Sequence, residues 1–174
     1  MVIRVALAEC FTHGLISREI HAFSMGYPLT YHWSTDPEDF PISVIAGLFI
    51  PTLSGIRTIL HFEPLPPAEV INDIKIYNQD QDLLMAFLMA QAVKNLTCAD
   101  IGIGTCAGVG KGGIALVYEK GSEVITSEHY ADLRFSSACE IMSRQKSGVV
   151  MCLRHFESIL NTKFKNCQKI IPSN

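Results

Sequence analysis

The residues with the clearest chemical potential lie in Ala8–Gly14, which reads Ala-Glu-Cys-Phe-Thr-His-Gly. The apolar run Val5–Ala8 predicts the end of a buried strand, and apolar residues at helical spacing in Leu15–Phe23 predict a helix. We therefore expect Cys10 at a strand-to-helix junction, with Thr12 capping the helix. Unpaired N–H groups and the positive dipole end of the first helical turn would lower the pKa of the thiol and let an anion dock. The alternative is a cysteine that only packs as a small buried hydrophobe.

The neighbours of Cys10 could take part in its chemistry. His13 is a candidate base or hydrogen-bond donor, although it could equally cap the helix. Glu9 could orient or deprotonate the thiol, but strand alternation directs its side chain away from Ala8 and Cys10. We take Cys10 and His13 as the catalytic candidates, and Thr12 and Gly14 as binding candidates in the same turn.

A second candidate stretch is Thr105–Gly113, which joins two predicted strands and contains four of the twelve glycines. Glycine allows positive φ and a close approach of the backbone, so successive N–H groups could cradle an anion, and Lys111 would add a charge for a phosphate. A dinucleotide-binding fingerprint is excluded because a strand follows, and a P-loop because Thr105 stands where a glycine is required. The alternative is a flexible hairpin. We expect a second wall of the Cys10 pocket, built from Thr105, Gly108, Gly110, Lys111, Gly112 and Gly113.

Three further residues are weaker binding candidates. Ser54 and Arg57 share a turn-like segment, where Arg57 could meet a phosphate or carboxylate or simply be solvated. Arg134 lies in the predicted strand Tyr130–Phe135, where an ion pair with Asp132 or Asp100 is the equal alternative.

Composition excludes several classes of protein. The 174 residues are 48% hydrophobic and 18% charged, which favours one globular domain over residues 1–162, followed by a basic tail over 163–174. A net charge of -3 and the absence of a stripe of basic and aromatic residues argue against nucleic acid as a binding partner.

No secretory signal or membrane span is evident, so we expect a cytoplasmic protein without a membrane partner. The six cysteines form no CxxC pair, so free thiols are expected; a zinc site from Cys98, Cys106 and a distant histidine is the minor alternative to no metal.

The order of elements, strands with helices between them, predicts an α/β sandwich; we expect the three-layer α/β/α type with a mixed sheet, in keeping with a family resemblance given below. The clearest elements are the helices Gln79–Leu96 and Ser137–Leu160 and a strand, Ile42–Ile50, that we expect to be covered on both faces. Tyr27–Phe40 is predicted to be a loop or short edge hairpin that serves as a lid or an interface. The remaining predicted elements are strands at 99–104, 114–118 and 124–126 and a short helix at 56–61.

Two of these stretches resemble the C-terminal domain of the CinA family, which are nicotinamide-mononucleotide deamidases. The similar segments are Ala8–Gly14 and Ala99–Gly113, with Leu133–Phe135 similar to an Arg-Phe segment before the last helix. In that register Cys10 stands in the place of the family's serine nucleophile. The deamidases carry a lysine in the segment equivalent to Ser54–Arg57; this chain has none there, and arginine cannot act as a neutral base. This resemblance supports the fold more than the reaction.

A much closer resemblance covers residues 3–160. The runs A-E-C-F-T-H-G, A-G-L-F-I-P-T-L-S-G, A-D-I-G-I-G-T-x-A-G-x-G-x-G-G-I-A and R-Q-K-S-G are similar to the HcgF family, which belongs to the biosynthesis of the iron-guanylylpyridinol cofactor of [Fe]-hydrogenase in methanogens. The resemblance implies that guanylylpyridinol is the ligand and that Cys10 holds its carboxylate as a thioester for conversion to the acyl-iron ligand. It also implies an ATP-dependent adenylylating protein as partner, and no tightly bound cofactor.

Other functions remain open at this point. One is a cysteine-dependent amidohydrolase of a pyridine nucleotide, and another is a non-catalytic nucleotide-binding regulator. A homodimer is expected by analogy, because pockets of this fold class are often completed by a neighbouring chain.

Overall fold

The structure, a computed structural model, describes residues 2–164. A short 3₁₀ turn spans Pro37–Asp39, and π-helical turns at Ile56–Leu60 and Leu160–Phe164 continue the second and fourth helices. The strands and helices are, in chain order, β1 (Ile3–Glu9), α1 (Leu15–Ser24), β2 (Ile42–Phe49), α2 (Leu53–Gly55), β3 (Glu69–Ile71), β4 (Ile74–Ile76), α3 (Gln79–Thr97), β5 (Ile101–Cys106), β6 (Val109–Gly110), β7 (Gly113–Tyr118), β8 (Gly121–Ile125), β9 (Ala131–Asp132) and α4 (Ala138–Ile159).

The central sheet has five strands in the order β2-β1-β5-β7-β8. β1 runs parallel to both β2 and β5, whereas β7 runs antiparallel to both of its neighbours, β5 and β8. α3 covers one face of the sheet, and α1 and α4 pack on the other. The predicted α/β/α sandwich with a mixed sheet is confirmed.

The central strand β1 is buried on both faces. Val5 and Leu7 belong to the core under α1 and α4, while Ala6 and Ala8 belong to the core under α3. The small alanines, and glycines on β5, let α3 lie close to the sheet. A Cβ at Gly104 would collide with the carbonyl oxygen of Ala86, so only glycine fits at that point of β5.

The two long helices begin at reciprocal caps. Asn78 accepts from the backbone N–H of Gln81, whose side chain accepts from the N–H of Asn78, at the start of α3. Ser137 and Glu140 repeat this arrangement at the start of α4. The predicted helices are confirmed to within one or two residues.

Three strand predictions differ from the structure. β2 is an edge strand, and Ile45 and Phe49 are exposed on it, so the prediction that it is covered on both faces is wrong. Of Tyr130–Phe135 only Ala131–Asp132 pairs, with β6, because the chain then turns back so that the N–H of Ser136 reaches the carbonyl of Asp132. The antiparallel hairpin β3–β4 was not predicted.

The Tyr27–Phe40 segment is a loop held by two buried carboxylates. Glu19, on α1, accepts hydrogen bonds from three consecutive backbone N–H groups, those of residues 29–31. Glu157, on α4, accepts from the N–H groups of Ser34 and Thr35 at 2.6 and 2.8 Å. The loop alternative is thus confirmed over the edge hairpin, and carboxylates from two helices replace the strand pairing that a hairpin would supply.

The chain ends were also part of the sequence predictions. Residues 165–174, most of the predicted basic tail, lie outside the described residues. Within residues 2–164, no helix is both long enough and apolar enough to cross a membrane.

Candidate functional site

Cys10 lies directly after β1 and lines a cavity of about 340 Å³. Its sulfhydryl side chain is largely buried, with 8% of the residue exposed. His13, Ala107 and Arg144 also line the cavity, and the remaining walls are apolar: Phe11, Phe49, Pro51, Ile74, Leu133 and Ile141. A cavity of this size and polarity suits a small organic ligand held by a few polar groups.

The nearest charged group to Cys10 is Lys75, on β4. The Lys75 Nζ lies 3.5 Å from the Cys10 Sγ and donates a hydrogen bond to the carbonyl oxygen of Pro51 at 2.9 Å. Burial is the largest single influence on the pKa of Lys75 and lowers it, but the charges of Cys10, Cys106 and Asp82 and the hydrogen bond to Cys10 together raise that pKa above its ordinary value. Lys75 therefore remains an ammonium ion beside the thiol.

The pKa of Cys10 is held well below its ordinary value. The largest cause is a hydrogen bond from the Cys106 thiol, followed by the charge and hydrogen bond of Lys75 and the backbone N–H of Ala107, all acting against burial. Cys106 ends β5, and the parallel register of β1 and β5, extended by two residues, places it opposite Cys10. The hydrogen bond to Cys10 and burial raise the pKa of Cys106, so Cys10 is the thiolate of the pair.

A buried carboxyl group, that of Asp82, also lies near Cys10 and Cys106. It lies in the first turn of α3 with no exposed surface, and burial raises its pKa to about 7. Its Oδ2 accepts from the N–H of Gly108 at 2.8 Å, while its Oδ1 has no hydrogen-bond partner within residues 2–164.

A chain of buried hydroxyl groups fixes the backbone at Cys10. The Cys10 N–H donates to the Thr105 Oγ1 at 2.9 Å, the two threonine hydroxyls of Thr105 and Thr12 are 2.9 Å apart, and the Thr12 hydroxyl donates to Glu9 at 2.7 Å. Because Thr12 donates to the carboxylate, the hydrogen between the two threonines comes from Thr105. Thr12 and Thr105 thus hold the turn, and neither lines the cavity.

The start of α1 differs from the prediction. Gly14 is its N-cap residue, with φ +80°, and Thr12 makes no cap. Instead, the Glu9 carboxylate accepts from the N–H groups of Ile16 and Ser17 at 3.2 and 2.8 Å. Because Glu9 occupies the positive end of the helix, the prediction that an anion docks there is wrong.

The glycine-rich stretch lies beside Cys10, but its backbone amides are already used. The N–H groups of Gly108, Val109 and Lys111 donate to the Asp82 carboxylate, the Tyr77 carbonyl and the Gln79 side chain. The predicted anion cradle is therefore wrong for these three groups. The glycines serve packing instead: a Cβ at Gly108 would collide with the backbone of Tyr77, a Cβ at Gly113 with that of Asp82, and Gly110 and Gly112 have positive φ.

The remaining predicted residues are distributed around the site. His13, with φ +53°, lines the cavity and packs against Phe49, their ring centroids 4.9 Å apart. The other four lie outside the cavity lining, where Ser54 hydrogen-bonds to Asp73, Arg57 pairs with Glu63 at 2.7 Å, Arg134 pairs with Asp132 at 2.7 Å, and Lys111 is exposed.

Two buried cations near Cys10, Lys75 and Arg144, were missed by sequence reasoning. Lys75 alternates with Ile74 and Ile76 after Asn72–Asp73, a two-residue turn with both φ values positive, so the pattern of a tight hairpin was available. Arg144 lies four and eight residues before Gly148 and Cys152, on the buried stripe of α4. A charged residue on an apolar helical stripe was the available signal there.

The minor zinc alternative finds no support. Cys98 is exposed at the end of α3, and Cys106 is buried at the opposite end of β5. Across residues 2–164 no group of three or more His, Cys, Asp or Glu side chains is arranged to hold a metal ion. The five cysteines in that range are free thiols.

Comparison with known structures is informative about the fold. A competence or damage-inducible protein from Enterobacter asburiae has a TM-score of 0.54 and 18% identity, covering 91% of this chain and 87% of that one. A CinA superfamily protein from Enterobacter cloacae has the same TM-score and 19% identity, covering 91% and 82%. These structures share the architecture described above.

Sequence comparison identifies the family. A UPF0254 protein of Methanothermobacter thermautotrophicus is 57% identical over 159 residues, 91% of this chain and 99% of its own length. A UPF0254 protein of Methanocorpusculum labreanum is 52% identical, over 90% of this chain and 91% of its own length. The family model for the FeGP cofactor biosynthesis protein HcgF matches residues 2–160. The chain therefore belongs to the HcgF family of FeGP cofactor biosynthesis proteins.

Proposed function

We propose that this protein binds guanylylpyridinol and holds its carboxylate as a thioester on Cys10, acting as an acyl carrier in FeGP cofactor biosynthesis. The observation that carries the proposal is the Cys10 thiolate, stabilised by Lys75 at 3.5 Å and open to an apolar cavity. A thiolate is the reactive form of cysteine, and here it needs no separate base to remove its proton.

The cavity suits an aromatic ligand bearing an acyl group. Phe11 and Phe49 offer aromatic surface to a pyridinol ring, while Cys10 and Arg144 supply polar groups on the same lining. A guanylyl group is too large to share this space with the ring, so it would extend out of the mouth.

The reaction requires an activated carboxylate. The partner expected from the resemblance, an ATP-dependent adenylylating protein, would supply an acyl adenylate. The Cys10 thiolate attacks its carbonyl carbon, the C–S bond forms, and the C–O bond to the adenylate phosphate breaks, so the electron pair leaves with AMP. No proton needs to be removed from Cys10 or given to the leaving group at neutral pH.

Two groups could stabilise the oxyanion of the tetrahedral intermediate. The Ala107 N–H already contacts the Cys10 sulfur, and the Lys75 ammonium group contacts the same sulfur atom. His13 lines the cavity and remains a candidate donor in this step.

Intact-protein mass spectrometry tests the proposal. The wild-type chain, incubated with guanylylpyridinol, ATP and the adenylylating partner, should gain the ligand mass less one water as a hydroxylamine-labile adduct. The Cys10→Ala variant should gain nothing, and Cys139→Ala, which removes an exposed free thiol, should behave as wild type. An equal adduct on Cys10→Ala would refute the thioester.

One observation favours a second candidate, a cysteine-dependent amidohydrolase of a pyridine nucleotide. The Ser54–Arg57 segment lacks the lysine that the deamidases carry there, but Lys75 lies beside the Cys10 sulfur instead. The chain also has the same fold as CinA-family proteins. Ammonia release from nicotinamide mononucleotide, lost in Cys10→Ala, would support this function, and its absence would leave the acyl carrier.

A further inference from the structure

Arg144 is a buried cation without a carboxylate partner. Only 1% of the residue is exposed, and none of the ion pairs within residues 2–164 includes it. Its Nη1 donates to three carbonyl oxygens, those of Gly108, Gly110 and Ala131, at 3.1, 3.1 and 2.7 Å. These bonds fix the guanidinium plane, but all three acceptors are neutral carbonyl groups.

The other edge of the guanidinium is unused. Over the described range, neither Nε nor Nη2 donates to a protein acceptor, and Nε is fully buried. These two N–H groups point in parallel and form the fork that binds a carboxylate or a phosphoryl group through two hydrogen bonds. The buried Nε–H is costly to leave unpaired, because it has lost its water without gaining a partner.

The position of Arg144 connects it with Cys10. Both line the same cavity, and the guanidinium carbon lies 5.9 Å from the ring centroid of Phe11, another cavity residue. Burial lowers the pKa of Arg144, while the charges of Asp82 and Cys10 act in the opposite direction, so the nearest negative charges belong to the site itself. Two buried cations therefore lie near Cys10: Arg144 lines the cavity, whereas Lys75 contacts the Cys10 sulfur without lining it.

We propose that Arg144 is the anion-recognition residue of the cavity, and that its Nε–Nη2 edge binds an oxyanion, carboxylate or phosphoryl, of an aromatic ligand packed against Phe11. The assignment rests on the proposed function and deepens it, because it names the chemical group, an oxyanion, that the ligand must place beside Cys10. Arg144 replaces the exposed Lys111 and the ion-paired Arg57 and Arg134 as the cation that selects the ligand.

Protection of Cys10 from alkylation measures this binding without any acylation step. Cys10 is alkylated with neutral iodoacetamide and followed by mass spectrometry, in the presence of two pairs of probes that differ in charge. Nicotinate and nicotinamide test the carboxylate source, and guanosine monophosphate and guanosine test the phosphoryl source. In the wild type, at least one charged probe should protect at a lower concentration than its neutral analogue, and the pair that does so identifies the source.

The variants separate recognition from folding. Arg144→Gln should need an about tenfold or higher concentration of the charged probe for the same protection, and should lose the preference for charge. Arg144→Lys keeps the charge but not the fork, so it should recover the protection only in part. Arg134→Gln is the matched control and should protect as wild type.

Two results would overturn the assignment. One is equal protection by the charged and neutral member of both pairs in the wild type, which needs no variant and stands even if Arg144→Gln fails to fold. The other is unchanged protection in a folded Arg144→Gln chain. Since neither depends on the adenylylating partner, failure here is distinguishable from a missing thioester on Cys10.

Discussion

Replacing Lys75 by methionine should suppress the reactivity of Cys10. The two side chains form a buried pair with the Nζ 3.5 Å from the Sγ, and Lys75→Met keeps the length of the side chain while removing its charge. Two opposite charges about 4 Å apart at an effective dielectric constant of about 20 attract by about 4 kcal/mol, a gross value that relaxation and water entry reduce. Since each 1.4 kcal/mol or so is a factor of ten, we expect an at least roughly tenfold slower alkylation of Cys10 at neutral pH.

The assay is the rate of iodoacetamide alkylation at Cys10 against pH, resolved by peptide mass spectrometry. Loss of Lys75 should move the inflection of the wild-type profile to higher pH, because the ammonium ion lowers the pKa of the thiol. Lys111→Met is the control, since it removes the lysine favoured by sequence reasoning, which is exposed and outside the cavity lining. Identical inflections in the wild type and in a folded Lys75→Met chain would refute the thiolate–ammonium pair.

Two predictions concern stability. Burial raises the pKa of Asp82 from 3.8 to about 7, so the folded chain keeps a proton that the unfolded chain has released, and the free energy of unfolding should fall as pH rises through this window. The whole window of about 3 pH units, at about 1.4 kcal/mol each, corresponds to about 4 kcal/mol, of which about 2 units or about 3 kcal/mol lie above pH 5. Urea unfolding at pH 5 and pH 8 should therefore show a fall of about 3 kcal/mol in the wild type but not in Asp82→Asn, and equal falls would contradict the raised pKa. Glu9→Gln should lower the free energy of unfolding by about 1–3 kcal/mol, because the carboxylate that caps α1 loses its charge. Exposed Glu119→Gln is the control in the same urea titration, and equal losses would contradict the capping role.

The long-range architecture was accessible from the sequence because it depends on repeated local patterns. Apolar positions recur at helical spacing through α3 and α4, and each helix has Asn or Ser followed three residues later by Gln or Glu. The small, uninterrupted apolar run Val5–Ala8 likewise predicted a buried strand, and the structure adds that this strand, β1, lies between β2 and β5. These signals average over many residues and tolerate single errors.

The site was less accessible because it depends on individual residues from distant parts of the chain. Lys75 reaches Cys10 from a three-residue strand, and its hairpin pattern contains nothing that indicates the distant residue it contacts. Arg57 and Lys111 have the residue types expected at an anion site, but Glu63 pairs with the first and the second points to solvent. Glu9 was expected to face away from Cys10, which agrees with the structure, yet its role as a helix cap requires α1 to fold back over β1.

The two-carboxylate anchoring of the Tyr27–Phe40 loop has a consequence for the order of folding. Ser34 and its acceptor Glu157 are 123 residues apart, and the loop has no strand pairing of its own. Contacts with such a large sequence separation form late, because the chain between them must first be ordered. Residues 34–35 of the loop should therefore remain open to proteases in any intermediate that lacks α4, whereas residues 29–31, bound to Glu19 on the neighbouring helix α1, are held without it.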